Sequence, residues 1–241
     1  MRAYVASLKF GYRQITRDNM LLLMIFGPIL CGVIFKYGIP ILEEYISERY
    51  GLGKVLVPYY LLFDTLLSYI ALNLICTVSS FIILEEHDDD VAAYLFVTPI
   101  GYSGYIFTRI ITPIIIAFFL SLVVMLFFNL SELSFPLILS LIFLSMLYSA
   151  AVTLFTVSKA KNKVEGLALT KLSGVVFVGL LVPFFVNTNI QFLFGVLPSF
   201  WLAKASVSYG TSFFIPSILL GAICSAFWIL IFYNKFKNKL F

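Results

Sequence analysis

Six apolar stretches divide the chain, each long enough for a membrane helix, and the polar segments between them are too short to hold a soluble domain. The stretches fall at about 19–39, 56–84, 106–129, 135–157, 172–189 and 212–233. A helix crosses the hydrocarbon core in about 20 residues, and lipid obliges each crossing segment to satisfy its backbone hydrogen bonds internally. The pattern therefore predicts an all-α, polytopic membrane protein with six transmembrane helices. Ahead of the first stretch, Val5, Leu8, Tyr12 and Ile15 recur at helical spacing, while Lys9, Arg13 and Arg17 form a second stripe four residues apart. That arrangement suits a basic amphipathic helix lying in the headgroup layer. The expected organisation is a connecting helix over 1–18 and a six-helix transmembrane domain over 19–241. No cleavable signal peptide is expected, since residues 1–18 contain no continuous apolar core.

One apolar stretch is too short to cross. Phe192 to Ala203 contains Gly195, Pro198 and Trp201 and ends at Lys204. It reads as a re-entrant or interfacial outer segment over about 192–204, with Trp201 near headgroup depth. Six spans put both termini on one side. That side collects Arg2, Lys9, Arg13, Arg17, Arg109, Lys159, Lys161, Lys163, Lys171, Lys235, Lys237 and Lys239, leaving Lys36, Arg49, Lys54 and Lys204 opposite. Lysine and arginine bias sets orientation, so both ends are expected in the cytoplasm.

The polar segment after span two is the most distinctive. Glu85-Glu86-His87-Asp88-Asp89-Asp90 places acids where positive charge is usual, and Val91 to Val97 then reads as a short helix. Asp88 or Asp89 can cap it, and the acids favour its positive N-terminal end. Thr98-Pro99 stops it, because the residue before proline avoids the helical region. Gly101 and Gly104 interrupt the chain again before span three. On geometry alone two readings stand: a solvated turn, or a docking element that passes force from a cytoplasmic partner to two spans. Asp64, a turn or two inside the outer end of span two, also has two readings. An ionisable group at that depth is a candidate for the substrate path, or it caps or pairs at the water boundary with Lys54 or Arg49. The loop from Ser158 to Gly166 is basic, which suits anionic lipid, an acidic surface or topology alone. Residues 40–54 form the most polar outer loop. Gly27-Pro28 and Pro113 mark possible kinks. Ser145, Ser149, Ala150 and Ala151 in span four, like Gly221, Ala222, Ser225 and Ala226 in span six, supply small faces for close helix contact.

Composition adds exclusions. Hydrophobic residues make up 61% of the chain and charged residues 12%, with a mean hydropathy of +1.04, too little polar surface for a soluble domain. Cys31, Cys76 and Cys224 fall in three different spans and read as packing residues, not as a disulfide or zinc framework. No phosphate-loop, nucleophile-elbow or zincin motif occurs, and Gly51-Leu52-Gly53-Lys54 lacks the phosphate-loop spacing. His87 is the single histidine and sits among acids. No metal site, catalytic residue or nucleic-acid partner is expected. Asn129-Leu130-Ser131 matches a glycosylation sequon but hugs the membrane.

Leu84-Glu85-Glu86, a short helix, then Val97-Thr98-Pro99-Ile100 leading to Tyr105 and Arg109 resembles the permeases of the ABC-2 class of ATP-binding-cassette exporters. Lys161 to Leu169 (KNKVEGLAL) is similar to the loop before span five in the branch that includes fluoroquinolone exporters. Phe194 to Trp201 is similar to the region before span six there. The glycine–threonine more usual after the acids is replaced by Asp88-Asp89-Asp90-Val91. The resemblance implies a six-helix subunit in a dimer with a second copy or a paralogue, bound to two separate nucleotide-binding ATPase subunits. It makes residues 88–98 a coupling helix with Glu85 and Glu86 at its base. Asp88, Asp89, Asp90, Tyr94, Thr98 and Pro99 would then face the ATPase, with Lys161 and Lys163 beside them. Lys9, Arg13 and Arg17 would hold the connecting helix on membrane lipid. The chain would bind no cofactor itself, ATP and Mg lying on the partner.

The leading expectation is thus the permease subunit of an ATP-driven exporter of an amphipathic drug, peptide or lipid, multi-pass in a bacterial cell membrane. A stand-alone gradient-driven carrier or channel, or a membrane assembly or immunity protein without transport, are the other classes. Co-purification with a soluble ATPase separates the first from the rest. Reversing Glu85 and Glu86 to lysine is expected to uncouple ATP hydrolysis from transport while leaving insertion intact.

Overall fold

The structure, a computed structural model, describes residues 2–51 and 53–240, apart from the side chains of Arg2, Ala3, Val175 and Leu240. Met1 and Phe241, the outer limits of the two expected regions, lie outside the described residues, as does Leu52 of the glycine-rich string. No strand occurs among the described residues. Helix α1 (Arg2–Arg17) precedes span one, which joins α2 (Asn19–Val33) to α3 (Ile39–Tyr50) through a π turn at Ile34–Gly38. Span two is a 3₁₀ turn (Val57–Tyr59) running into α4 (Tyr60–Asp88), and α5 (Val91–Val97) is the short helix beyond it. Span three joins α6 (Gly101–Ile106) to α7 (Thr112–Phe128) through a second π turn, Phe107–Ile111. Span four is α8 (Phe135–Lys159), and span five is α9 (Lys163–Val176) with α10 (Val178–Phe185). A 3₁₀ turn (Asn189–Val196) and α11 (Pro198–Val207) then lead to α12 (Phe214–Leu240), which is span six.

The six helices long and apolar enough to cross a membrane are those expected, with shifted ends. Span one does not stop near residue 39 but runs from Asn19 to Tyr50, about 48 Å at 1.5 Å per residue. Much of the expected outer loop is therefore helix, and Gly51, at φ 60°, ends it in the left-handed conformation that glycine adopts freely. The helix survives Pro40 because the preceding turn widens to π geometry, which makes room for the ring. Span five begins at Lys163, not near 172, so Lys171 stands two turns inside α9 and not in the loop.

Two spans form the centre. Spans two and four are 78% and 72% buried over their most apolar stretches, against 17% to 29% for the other four, so α4 and α8 are the axis on which the rest pack. Lipid tails are as apolar as leucine, so close contact and hydroxyl bonding hold these helices together. Ser145 of the expected small face does this, its Oγ 3.2 Å from Ser68 Oγ, and Thr153, outside that face, donates from Oγ1 to the Cys76 carbonyl at 3.2 Å. Gly27 lets span one approach Leu74, whose Cδ1 would lie 2.6 Å from a Cβ there. Gly221 does the same for span six against Trp201 and Leu144, at 2.8 and 2.9 Å. The three cysteines are free thiols on separate spans.

Within the segment 189–207, α11 packs inside the bundle while most of the preceding 3₁₀ turn stays exposed. Ser199 Oγ donates to the Val176 carbonyl at 2.6 Å, and Gly179 lies against Ser199 and Leu197. Trp228 Nε1 and Cys224 Sγ of span six both donate to the Val196 carbonyl, at 2.9 and 3.2 Å. The Val196–Ser199 turn thus sits about 15–21 Å along span six from Phe214, near the middle of that helix, and α11 climbs back from it. Trp201 packs within the protein. Its ring is buried beside Phe200, and its Nε1 donates to the Gly195 carbonyl at 2.6 Å.

Candidate functional site

The end of the bundle that carries both termini holds nearly all the expected site residues. Consecutive helical residues lie about 100° apart, so Glu85 and Glu86, at the end of α4, meet different neighbours. Glu86 is fully buried and accepts from Arg109 twice over: Nη2 at 2.6 Å, and Nε at 3.0 and 2.9 Å from the two oxygens. Arg109, in the π turn of span three, is also buried, and its Nη1 donates to the Ser7 carbonyl of α1 at 3.1 Å. A Cβ at Gly11 would stand 3.0 Å from Nη1, so the glycine leaves the space this guanidinium fills. One ion pair therefore fastens α1, span two and span three. Pro113 has no N–H for the Arg109 carbonyl, and the Ser79 hydroxyl of span two takes that carbonyl instead.

Glu85 faces the other way. Lys163 Nζ, at the start of span five, donates to Glu85 at 2.8 Å and to Asp18 at 2.6 Å, and its backbone N–H donates to Asp88 Oδ2 at 3.2 Å. Asp18 also caps α2 by accepting from Met20 N at 2.8 Å and Leu21 N at 3.3 Å. The Lys163 hydrogen bond is the main reason its carboxyl titrates below the usual value, partial burial opposing and the two backbone bonds assisting. A lowered carboxyl contributes stability that is complete above its unfolded value and is lost as pH falls through the folded one. The melting-temperature gap between wild type and Asp18→Asn should accordingly hold steady near neutrality and close below about pH 4. A gap that persists at lower pH would assign the effect to packing.

Gly166 brings α9 against α4. A Cβ there would stand 2.5 Å from Leu84 Cδ1. Asn162 Oδ1 caps α9 by accepting from Glu165 N, and Glu165 Oε2 accepts from Lys161 N, both at 2.8 Å. Lys239 Nζ of span six bonds the Val157 carbonyl at 2.9 Å and that of Ala160, closing the end of α8.

Helix α5 stands on this platform. The chain turns through Asp90 in the left-handed conformation (φ 56°), and no acidic side chain caps α5. The expected cap is absent because Asp88 is turned toward Lys163 and the turn residue is Asp90. Ala92 and Phe96, four apart, face inward, Phe96 meeting Tyr105 and Tyr102 edge-on at 5.1 and 5.9 Å. Tyr94 and Val97, three apart, face out and are 71% and 84% exposed. Thr98 ends the helix as expected, extended before Pro99, with its hydroxyl on the Leu95 carbonyl at 2.6 Å. Asp88, Asp89, Asp90, Thr98, Pro99 and Lys161 are exposed around them.

The other expected residues lie apart. Lys9, Arg13 and Arg17 are exposed on α1, as are Val5, Leu8 and Tyr12; the face against the protein is Ser7 and Gly11. Asp64 is at the opposite end, buried, its carboxylate accepting from Leu130 N at 2.7 Å and Ser131 N at 2.8 Å. It pins the loop between spans three and four and pairs with neither Lys54 nor Arg49. Asp64→Ala removes two charge-assisted bonds and should cost about 3 kcal/mol in thermal unfolding, with faster amide exchange at Leu130 and Ser131; an unchanged melting curve would refute this. Sequence reasoning missed Ser7, Gly11 and Asp18, used Lys239 only for topology, and used Arg109 for topology and for the family resemblance without finding its partner. The signals were a serine and glycine four apart on a short helix and a lone arginine close to an apolar span.

Six apolar helices with an ordered polar platform at one end define a multi-pass protein of the cell membrane. The chain belongs to the Rv2686c-like family of fluoroquinolone export permeases, whose family model matches residues 11–233. It is a membrane permease. The fluoroquinolones export permease protein Rv2686c of Mycobacterium tuberculosis strain ATCC 25618 / H37Rv is 28% identical over 247 aligned positions, covering 99% of this chain and 95% of that protein. The fluoroquinolones export permease protein MT2760 of strain CDC 1551 / Oshkosh matches to the same extent. No solved structure matches.

Proposed function

We propose that this permease is the transmembrane subunit of an ATP-driven exporter of the ABC-2 type, with both termini in the cytoplasm. Helix α5 docks a separate nucleotide-binding subunit that carries the ATP and Mg, and a second permease copy or paralogue completes the path. The observation that carries the reading is the pair Tyr94 and Val97, more than two-thirds exposed on a short helix that stands on the polar platform among exposed acids, apart from the apolar residues of α1. A short helix with an apolar tip and flanking acids, clamped to spans two and three, fits an anchor that transmits movement. Asp88, Asp89, Asp90, Thr98, Pro99 and Lys161 surround that anchor.

Glu86 and Lys163 take a different part. Both are engaged within the chain, so they position the platform and do not touch the partner. Charge reversal at Glu86 would set a second cation against Arg109 and impair folding, which departs from the clean uncoupling expected of the double reversal. The substrate is an amphipathic drug of the kind named for the relatives, and the 189–207 segment is a re-entrant outer element. Affinity purification of the tagged permease from cells that also express its ATPase tests the reading: the ATPase should co-purify and show drug-stimulated hydrolysis. A permease that transports in vesicles without any ATPase would overturn it.

A further inference from the structure

A crevice of about 550 Å³ opens beside the platform, between α1 and the end of α4, lined by Phe10, Arg13, Gln14, Arg17, Asp18, Asn19, Glu85 and Asp89. We propose that it binds the headgroup of an aminophospholipid, phosphate on the arginines and primary ammonium on the acids.

The location selects a lipid. Helix α1 meets span one with only Asp18 between them, and its Ser7–Gly11 face lies on span three near its start. It therefore runs along the membrane surface at the depth of the span ends, leaving Val5, Leu8 and Tyr12 exposed to acyl chains. A crevice at that depth opens onto headgroups.

The charges select the headgroup. Arg13 and Arg17 are exposed, one helical turn apart, and neither forms an ion pair among the described residues. Two such guanidinium groups suit one phosphate. Asp18, Glu85 and Asp89 share the lining with them, the first two bound to Lys163. With Lys163 included, three cations face three anions. An anionic headgroup would meet the arginines but leave Asp89 unmatched, whereas a zwitterion answers both sides. Gln14 is part of the lining, and its Oε1, closed to solvent in this structure, has no hydrogen-bond partner. A primary ammonium has three N–H groups to offer; a quaternary choline has none. The site therefore distinguishes ethanolamine from choline as well as from glycerol.

Native mass spectrometry of the purified full chain, in detergent with equal amounts of dioleoyl phosphatidylethanolamine, phosphatidylcholine and phosphatidylglycerol, tests this without any ATPase. Phosphatidylethanolamine should be retained about ten-fold over each of the others. Arg13→Gln with Arg17→Gln should abolish that retention. Asp89→Asn alters an exposed side chain and leaves the fold in place; it should bring ethanolamine and choline lipids to near parity. Equal retention of all three lipids by the wild type, or an ethanolamine preference that survives both variants, would overturn the proposal. So would tighter retention of phosphatidylglycerol, which would make α1 a simple anionic-lipid anchor.

Discussion

Replacing Glu86 with alanine should destabilise the permease by about 3–5 kcal/mol, because it strands a buried guanidinium without its counter-ion. The arginine cannot shed its proton to relieve the strain. Its remaining bond is to the Ser7 carbonyl, so α1 should loosen with the loss, and thermal unfolding in detergent should show a lower midpoint. Arg109→Ala should cost a similar amount. The double variant Glu86→Leu with Arg109→Met should recover much of the loss, since an apolar pair of similar volume removes both desolvation penalties. A single-variant cost below about 1 kcal/mol would mean that water reaches the pair and that the three segments are not fastened there. Transport by the stable double variant then separates fold from force transmission. If coupling needs α1, span two and span three to move together, the double variant folds but transports poorly.

The second large effect is expected at the tip of α5. Tyr94→Asp with Val97→Asp places charge where an apolar anchor should enter a partner's pocket. Aromatic anchors of this kind carry about 2 kcal/mol or more each, so recovery of the ATPase in pull-down should fall by more than about ten-fold. Both side chains point out of the fold, so the melting temperature should stay within about 1 °C of wild type, in keeping with the small effect of surface changes. An undiminished pull-down would move the docking surface elsewhere on the rim. A lowered melting temperature would instead show that these side chains pack within the chain.

The sequence was informative where one local rule acts alone. Thr98 before Pro99 stops a helix whatever surrounds it, and six runs of apolar residues leave lipid as the solvent. It was less informative where tertiary contact chooses between local options. Residues 40–50 are too polar for a span by composition, yet they continue span one as α3, with buried Glu43 of that helix accepting from the backbone of Val55 and Leu56. The two glutamates looked equivalent because nothing local says which one faces Arg109, a residue 23 positions away in sequence. Asp64 kept two readings because only its depth can be read from sequence, while the two N–H groups that claim it come from a loop 66 and 67 residues later. Tyr94 and Val97 differ from Ala92 and Phe96 only by the azimuth at which α5 leaves Asp90, which a seven-residue run cannot declare.

Span three carries a joint. Where Pro113 interrupts the backbone ladder, a hydroxyl borrowed from a neighbouring helix stands in for the missing bond. Bending there should cost less than elsewhere in the helix, since one rung of the backbone ladder is already carried by span two.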